Sequence, residues 1–409
     1  MDHVPRSIPE TLRIGFPNST GVAVFEDREL HISADVSMSA EGTIEIRGAA
    51  PLHWPADKPT PFEARLTTED GWQLLCEKCW LRNFVEESFQ VNPRSFTAIV
   101  QKVSAVYGQE PDPRDASLYV ALVGDTQILA GDTFDQFGSR SVCQLHLGGR
   151  DAYLYGAPLR GINNMVGYLY IPRAAETPEQ DWPLVFRLCS LLSFAYGRFI
   201  SPVWYSRTDS RGATRIELLH PSRKAGEGGL HLPLLYVSYP FQVSGLLNRA
   251  WPRWDHEGYG LDLPVLIDQY VLMRQQSFVE STLILGSIWM EAFKYQYAAQ
   301  VRQYQQSGDF YFQKTGSASR YSFRELVDEG MRHYGVPSPY LDFVPVRNSI
   351  IHTGTLGKPI KDKIRLRLEL EDAIKEFFYT LFDFQGLVWS YKDTNWVERS
   401  RWCRYDQAA

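Results

Sequence analysis

The spacing of the apolar residues changes near Leu261, and this change divides the chain into two parts. Before it, short runs of β-branched and aromatic residues alternate with turn signals such as Asp70-Gly71 and Gly148-Gly149. After it, apolar residues recur at helical spacing. Because 409 residues are more than one hydrophobic core usually holds, two or more domains are expected. The predicted fold class is therefore α+β, with several domains.

Residues 1–172 are predicted to form a β-rich domain, either a sandwich or an open barrel. Its candidate strands include residues 21–25, 43–47, 117–123 and 166–171. Residues 173–260 are predicted to be a mixed connecting region that packs on this domain. Within this region the sequence suggests a linker at 172–183, a helix at 182–197 and a strand at 215–219.

Residues 261–409 are predicted to form an all-α helical bundle, with helices at 278–305, 322–333 and 345–354. Ser322 and Glu325 have the spacing of a capping box, and Pro345 suits the first position of a helix. A fourth helix is predicted to end at Gly386, with apolar positions at Leu370, Ile374, Phe377, Phe378 and Leu381. Its start is not fixed by the sequence, because residues 364–370 alternate as a strand would.

The charge of the chain is unevenly distributed. The formal net charge of −6 argues against nonspecific coating of nucleic acid. Residues 261–409 contain 18 Lys plus Arg and 18 Asp plus Glu, so the whole deficit lies in residues 1–260. The C-terminal part could therefore meet a polyanion, whereas the N-terminal part would tend to repel one.

The cysteines and the apolar segments indicate a cytoplasmic protein without a membrane anchor. Five scattered cysteines, an odd number, do not suggest a disulfide framework. The longest apolar segment, residues 184–200, is interrupted by Arg187 and Arg198 and is too short to cross a bilayer. The N-terminus lacks the basic region and apolar run of a secretory signal.

A short motif, Arg347-Asn-Ser-Ile-Ile-His352, lies in the predicted bundle. The pattern of an arginine, four to six residues and a histidine is not specific, since about two matches are expected by chance from this composition. The chain contains four others: Arg47–His53, Arg140–His146, Arg215–His220 and Arg249–His256. Only Arg347–His352 lies in the predicted bundle and follows a proline that can open a helix.

Helix geometry suggests how this motif could form a site. Asn348 and His352 are four residues apart and share a helix face, so the amide can orient the imidazole. Arg347 and His352 are roughly 140° apart around the helix, so one copy cannot easily bring both to a single phosphate. Two copies that face each other across a dimer axis could. A dimer, or a larger homo-oligomer, is therefore predicted.

The C-terminal third resembles a HEPN domain, specifically the group similar to the anti-phage protein ApeA. The resemblance covers residues 261–409 and rests on RNSIIHTG, on a preceding long helix with WMEAF, and on a following helix that ends in FDFQG. It implies an endoribonuclease of an abortive-infection defence system that needs no cofactor for catalysis and leaves a 2′,3′-cyclic phosphate. It also implies a phage-encoded trigger and an RNA substrate, for which transfer RNA is our suggestion.

The three motif residues suit this chemistry. The His352 imidazole can take the proton of the ribose 2′-hydroxyl, and Arg347 can stabilise the charge that develops on the phosphoryl oxygens. Asn348 would hold His352 or donate to the same oxygens. DNA lacks the nucleophile, so selectivity for RNA needs no recognition of bases. Glu291, on the first long helix, is either a partner of Arg347 or an ordinary surface glutamate.

Three lysines follow the motif closely: Lys358, Lys361 and Lys363. They could bind RNA phosphates beside the scissile bond. The exposed start of a helix would have the same composition, and the sequence does not separate these two interpretations.

Two short-spaced pairs in the β-rich part, Cys76–Cys79 and Cys143–His146, could together hold a structural zinc ion. Cys76 and Cys79 also fall in the apolar run 74–81, which is equally typical of a buried strand.

Two functions remain open from the sequence. In the first, the C-terminal part is the RNase and residues 1–260 sense a trigger or restrain the enzyme. In the second, the helical part is a non-catalytic dimerisation scaffold and the β-rich part binds a ligand or a protein.

Overall fold

The computed structural model describes residues 13–25, 28–39, 42–50, 61–85, 94–124, 133–134, 141–156, 165–175, 177–221, 234–235, 241–254, 260–308, 311–316, 319–337, 349, 356–390 and 394–402. The strands within these residues are β1 Gly15–Phe25, β2 Arg28–Met38, β3 Ile44–Ala50, β4 Phe62–Thr67, β5 Trp72–Val85, β6 Arg94–Tyr107, β7 Ser117–Val123, β8 Thr133–Phe134, β9 Ser141–Leu147, β10 Arg150–Tyr155, β11 Met165–Ile171, β12 Ser201–Thr208, β13 Thr214–Leu219, β14 Leu387–Ser390 and β15 Asn395–Glu398. The helices are α1 Pro178–Tyr196, α2 Gln242–Trp254, α3 Leu263–Arg274, α4 Val279–Gln296, α5 Phe323–His333 and α6 Ile360–Leu381. The predicted α+β class is confirmed, but the prediction that residues 261–409 are all-α is wrong, because β14 and β15 pair as a two-stranded antiparallel sheet.

The first six strands form a closed antiparallel barrel. Their order is β3-β2-β1-β4-β5-β6, and β3 also pairs with β6, which closes the ring. Strands β2 and β4 alternate between buried and exposed residues, as expected where one face of a strand fills the barrel. The sheet continues beyond β6 through β13, β12, β7, β11, β10 and β9 to β8.

Strands β1 and β4 approach each other closely at Gly21. A Cβ atom at this position would lie 1.9 Å from the carbonyl oxygen of Arg65 and 2.9 Å from the Cα atom of Leu66. Both contacts are with backbone, so a side chain at Gly21 would push the two strands apart.

We expect Gly21→Ala to lower the free energy of unfolding by about 2 kcal/mol, because overpacking that displaces backbone costs about 1–3 kcal/mol. Urea denaturation measures this change. Gly15→Ala, on the same strand, is the matched control, because its Cβ would meet only the carbonyl oxygen of Val36, at 3.7 Å. If the two variants had equal stability, the close approach of β1 and β4 would be wrong.

One hydrophobic cluster joins the extended sheet to all six described helices. It contains Leu122 of β7, Leu188 of α1 and Ile267 of α3, each fully buried. The cluster therefore continues across residues 172 and 260, where the sequence suggests domain limits. The helical part shares its core with the sheet and with α1.

Helix α1 begins at Pro178, within the segment predicted as a linker. Proline suits the first position of a helix, and the Gln180 Oε1 atom accepts a hydrogen bond from the Thr177 backbone at 3.3 Å. The helix ends at Tyr196 and is followed by Gly197, whose φ of 64° is the left-handed conformation that glycine adopts readily. The linker prediction is wrong for residues 178–183.

Helices α3, α4 and α6 meet at Trp289. Its ring is fully buried, its Nε1 atom donates to the Leu266 carbonyl oxygen at 2.8 Å, and its centroid lies 5.5 Å from that of Phe377. The π-helical turn Tyr297–Val301 ends the long helix that α4 begins, close to the predicted limit. Helix α6 begins at Ile360, so residues 364–370 are helical despite their alternation.

Candidate active site

The three predicted catalytic residues, Arg347, Asn348 and His352, lie outside the described residues, as does the helix predicted at 345–354 apart from Ser349. Their roles remain predictions. The described structure contains the helices on either side of this segment, α5 and α6, together with their charged side chains.

Both flanks of the motif segment are held in the helical core. Helix α5 begins with the expected capping box, in which Ser322 Oγ accepts from the Glu325 backbone at 3.2 Å and Glu325 Oε2 accepts from the Ser322 backbone at 2.7 Å. The helix ends at His333, and Val336 that follows is 1% exposed. On the other side, Leu356 is 3% exposed and belongs to the same hydrophobic cluster as Val336. Residues 338–355 therefore connect two points of one core.

Glu291 lies on α4, half-buried, and forms an ion pair with Lys294. The Lys294 side chain is buried, and its Nζ atom lies 5.4 Å from the centroid of the Phe323 ring at the start of α5. The described contacts therefore place Glu291 near the start of α5, at the opposite end of that helix from Val336. Its predicted pairing with Arg347 lies outside the described residues.

The three lysines of the predicted RNA-binding group differ in environment. Lys358 and Lys361 are exposed at the start of α6. The Lys363 Nζ atom lies 2.6 Å from Glu280 Oε1 on α4, and this hydrogen bond lowers the pKa of Glu280. Lys363 therefore connects α6 to α4, whereas Lys358 and Lys361 are exposed to solvent.

The structure does not bring the four predicted zinc ligands together. Cys76 and Cys79, on β5, are buried in the hydrophobic cluster inside the barrel. Cys143, on β9, belongs instead to the cluster between the sheet and the helices. The exposed His146 ring interacts with Asp151, its Nδ1 atom 3.1 Å from Oδ1. Among the described residues no group of three or more His, Cys, Asp and Glu side chains could hold a metal ion.

We expect the Cys76 and Cys79 thiols to react with iodoacetamide at neutral pH only after unfolding. Burial raises the pKa of Cys79 to about 12 and also raises that of Cys76, so little of the reactive thiolate forms. Mass spectrometry of the labelled peptides, with and without urea, measures the reaction. EDTA should leave the native pattern unchanged; faster labelling in EDTA would instead indicate a zinc ion on these sulfurs.

A buried group of charges on α6 was not anticipated from the sequence. Four charged side chains are buried, in two adjacent pairs one helical turn apart: Glu371 with Asp372, and Lys375 with Glu376. The Arg274 Nε atom of α3 lies 3.2 Å from Glu371 Oε1, and Lys375 forms an ion pair with Asp372. The sequence signal was the i, i+3 pairing of opposite charges, which is more typical of a solvated face.

The buried charges on α6 also contact the last described residues, 399–402. The Arg399 Nη2 atom lies 3.8 Å from Glu376 Oε1, and the guanidinium carbon is 5.0 Å from the centroid of the Trp402 ring. Burial lowers the pKa of Arg399. Trp402 is buried, and its Nε1 atom donates to the Trp389 carbonyl oxygen at 3.2 Å. These contacts fasten residues 399–402 to α6.

The comparisons with known proteins found no matching family model, no similar curated protein and no similar solved structure. Among the described helices, none is both long and apolar enough to cross a membrane.

Proposed function

We propose that this protein is a metal-independent endoribonuclease of a prokaryotic anti-phage defence system, acting through Arg347, Asn348 and His352. The observation that carries the proposal is the anchoring of both flanks of the motif segment, at Val336 and Leu356, in one helical core. Because both flanks pack in this core, the two ends of the motif segment are fixed relative to the helices. The resemblance of residues 261–409 to HEPN RNases supplies the reaction.

Exposed apolar side chains support the proposed dimer. Val265 and Leu272 are exposed on α3, and Ile288 and Tyr295 are exposed on α4. Each pair is seven residues apart, two turns along one helix face. At the start of α4, Phe278 is 75% exposed. Exposed apolar residues on two helices that pack against each other are candidates for a protein–protein interface, and a second copy would bring a second motif.

The proposed reaction is an internal transesterification. The ribose 2′-oxygen forms a bond to phosphorus, and the bond from phosphorus to the 5′-oxygen breaks. His352 takes the 2′-hydroxyl proton, and the departing 5′-oxygen receives a proton from water; the protonated His352 then returns its proton to the hydroxide that remains, so no net proton is gained or lost. The products are a 2′,3′-cyclic phosphate and a 5′-hydroxyl. Arg347 would stabilise the phosphoryl oxygens, and Lys358 and Lys361 would contact neighbouring phosphates.

The proposal is tested by inducing the wild type, Arg347→Ala and His352→Ala and following growth and total RNA on a gel run in EDTA. We expect toxicity and RNA fragments from the wild type only. His146→Ala is a matched control, because His146 belongs to another match of the same arginine–histidine pattern and is exposed. Equal behaviour of all variants, with no cleavage of purified RNA, would favour the scaffold.

The non-catalytic scaffold is the second candidate, because the exposed apolar faces of α3 and α4 favour dimerisation under either function. The RNase and the scaffold differ in the expected effect of His352→Ala on binding and on cleavage. A scaffold would keep its partner binding, whereas the RNase would keep the dimer and lose cleavage.

We also propose that residues 1–260 sense a trigger or restrain the RNase. The acidic balance of this part of the chain supports the proposal, since it would repel RNA. Removing residues 1–260 would expose the helical face of the shared hydrophobic cluster. Restraint is therefore tested in the full chain, where RNA fragments should increase after phage infection. Equal cleavage with and without infection would contradict it.

A further inference from the structure

The chain folds into a compact polar segment after the π-helical turn Tyr297–Val301. Isolated bridges pair Gln306 with Phe312 and Gln313 with Arg320. The Ser307 backbone N–H donates to the Tyr311 carbonyl oxygen at 2.7 Å. π-Helical turns occur frequently at functional sites, so the surface that follows this turn is a candidate site.

This surface is fixed to the helical core. Phe312 is 1% exposed and packs in a small cluster with Ala298 and Leu326 of α5. The Tyr297 and Tyr304 hydroxyls both donate to Glu329 Oε1 on α5. Because α4 and α5 both hold the segment, its side chains are positioned before any ligand arrives.

A groove of about 570 Å³ opens on this segment, and we call it the α4 groove. Its described lining contains no carboxylate. Two cations and several amides define its chemistry, with Tyr304 beside them: Arg302, Lys314, Gln303, Gln305 and Gln313. Guanidinium and ammonium groups bind phosphates, and glutamine amides both donate to and accept from base edges. The volume lies within the range of sites for small-molecule ligands and cofactors.

Cations and aromatic rings alternate around the groove. The Arg302 guanidinium carbon lies 5.4 Å from the centroid of Tyr304, and the Lys314 Nζ atom lies 5.6 Å from that of Tyr321. The two tyrosine rings stack at 4.9 Å. Such interleaving is typical of surfaces that bind single-stranded nucleic acid, where rings stack on bases and cations contact the backbone.

Tyr311 offers the most exposed ring of this surface, with 54% of the residue accessible. The Arg320 guanidinium lies 5.1 Å from its centroid, and Arg320 Nε donates to Ser307 Oγ at 3.2 Å. Arg302 and Lys314 have carboxylate partners in Glu329 and Glu325, respectively. Arg320 is exposed and forms no ion pair within the part of the chain that the structure describes.

We propose that the α4 groove and Tyr311 bind single-stranded RNA, as a docking site separate from the cleavage motif. The proposal rests on the proposed RNase function, because the docking site would bind the substrate at nucleotides distant from the scissile bond. Phosphates would contact Arg302, Lys314 and Arg320, and a base would stack on Tyr311.

The test measures binding of a fluorescent oligoribonucleotide of about 12 nucleotides, within the usual site sizes for single strands. The full chain carries His352→Ala, so the RNA stays intact. We expect the triple variant Arg302→Gln, Lys314→Gln and Arg320→Gln to raise the Kd about ten-fold or more. The slope of log K against log salt should fall by about 2, since each phosphate contact contributes about 0.7.

A matched triple variant on the β-rich part, Arg47→Gln, Arg82→Gln and Arg114→Gln, makes the same change in net charge. It removes cations that also pair with carboxylates. We expect its Kd to remain within about two-fold of the parent. Tyr311→Ala should weaken binding about ten-fold through the loss of stacking, and Tyr311→Phe should restore it. Circular dichroism checks that each variant is folded.

Unchanged binding by the groove variant, with RNA cleavage by the wild type intact, would overturn the docking site and leave the RNase standing. Equal weakening by both triple variants would also overturn it, since net charge alone would then explain the binding. Failure of the parent to bind any RNA, together with no cleavage by the wild type, would overturn both proposals.

Discussion

Mixing Arg347→Ala chains with His352→Ala chains is expected to restore RNA cleavage that neither variant shows alone. If each site takes its arginine from one copy and its histidine from the other, a mixed dimer contains one intact site. Random mixing makes about half of the dimers mixed, so about a quarter of the wild-type activity should return. Each variant alone should lose about 10²–10⁴ in rate, the usual contribution of a general base or its equivalent.

The measurement is initial rates on purified RNA in EDTA, after the two variants are unfolded and refolded together. Two separate preparations of His352→Ala, mixed in the same way, are the control for the procedure. A mixture that stays inactive while the wild type cleaves would mean that one copy supplies both groups, and the geometry of the motif would then need another explanation. Size-exclusion chromatography establishes that the dimers form.

Glu371→Ala is expected to lower the free energy of unfolding by about 3–5 kcal/mol. Its carboxylate lies 3.2 Å from Arg274 Nε, and both side chains are about 95% buried. Removing one member of a buried ion pair leaves the other charge in a medium that solvates it poorly. The arginine would then lose its closest described counter-charge. Urea denaturation of both proteins measures the loss.

The double variant Arg274→Met and Glu371→Leu separates this charge effect from simple loss of packing. Two apolar side chains of similar length remove both charges, so most of the lost stability should return. Arg114→Ala is the surface comparison, because Arg114 pairs with Asp112 on an exposed loop and should change stability little. A Glu371→Ala variant as stable as Arg114→Ala would show that Arg274 does not depend on this carboxylate.

The helices that the sequence predicts most clearly are those with local signals. The capping box of Ser322 and Glu325 sets the start of α5, and the glycine at position 335 has the positive φ, 76°, expected after its end. Such signals depend on neighbouring residues only, so they can be recognised before the fold is known.

Local signals are less informative where an element is buried on all sides, although the sequence predicted a helix in both of the places where this occurs, α1 and α6. In α1 between Leu188 and Tyr196, and in α6 between Leu370 and Tyr379, burial extends around the helix, so no polar face gives the pattern a period. The charged residues Glu371 and Lys375 suggest a solvated face, and only α3 and the end of the chain provide their buried partners.

The proposed zinc site shows the same limit for side chains that are distant in sequence. Cys76 and Cys79 lie on one strand, β5, in agreement with the interpretation of residues 74–81 as a buried strand. The position of Cys143 relative to these two cysteines depends on the order of the strands. Cys143 lies on β9, at the other end of the sheet from the barrel, so it is distant from them. Strand order depends on pairing between residues that are distant in the sequence, so the local periodicity of the sequence does not predict it.

By itself, the sequence determined the α+β class, the helical nature of the C-terminal part and the motif from which the RNase proposal starts. These follow from periodicity, capping and residue chemistry, which act over a few residues. The tertiary structure alone decided the closure of the barrel, the core shared by the sheet and the helices, and the meeting of Arg302, Tyr304 and Lys314 in the α4 groove. Each of these depends on contacts between residues distant in the chain, because burial is gained only when separate elements pack together.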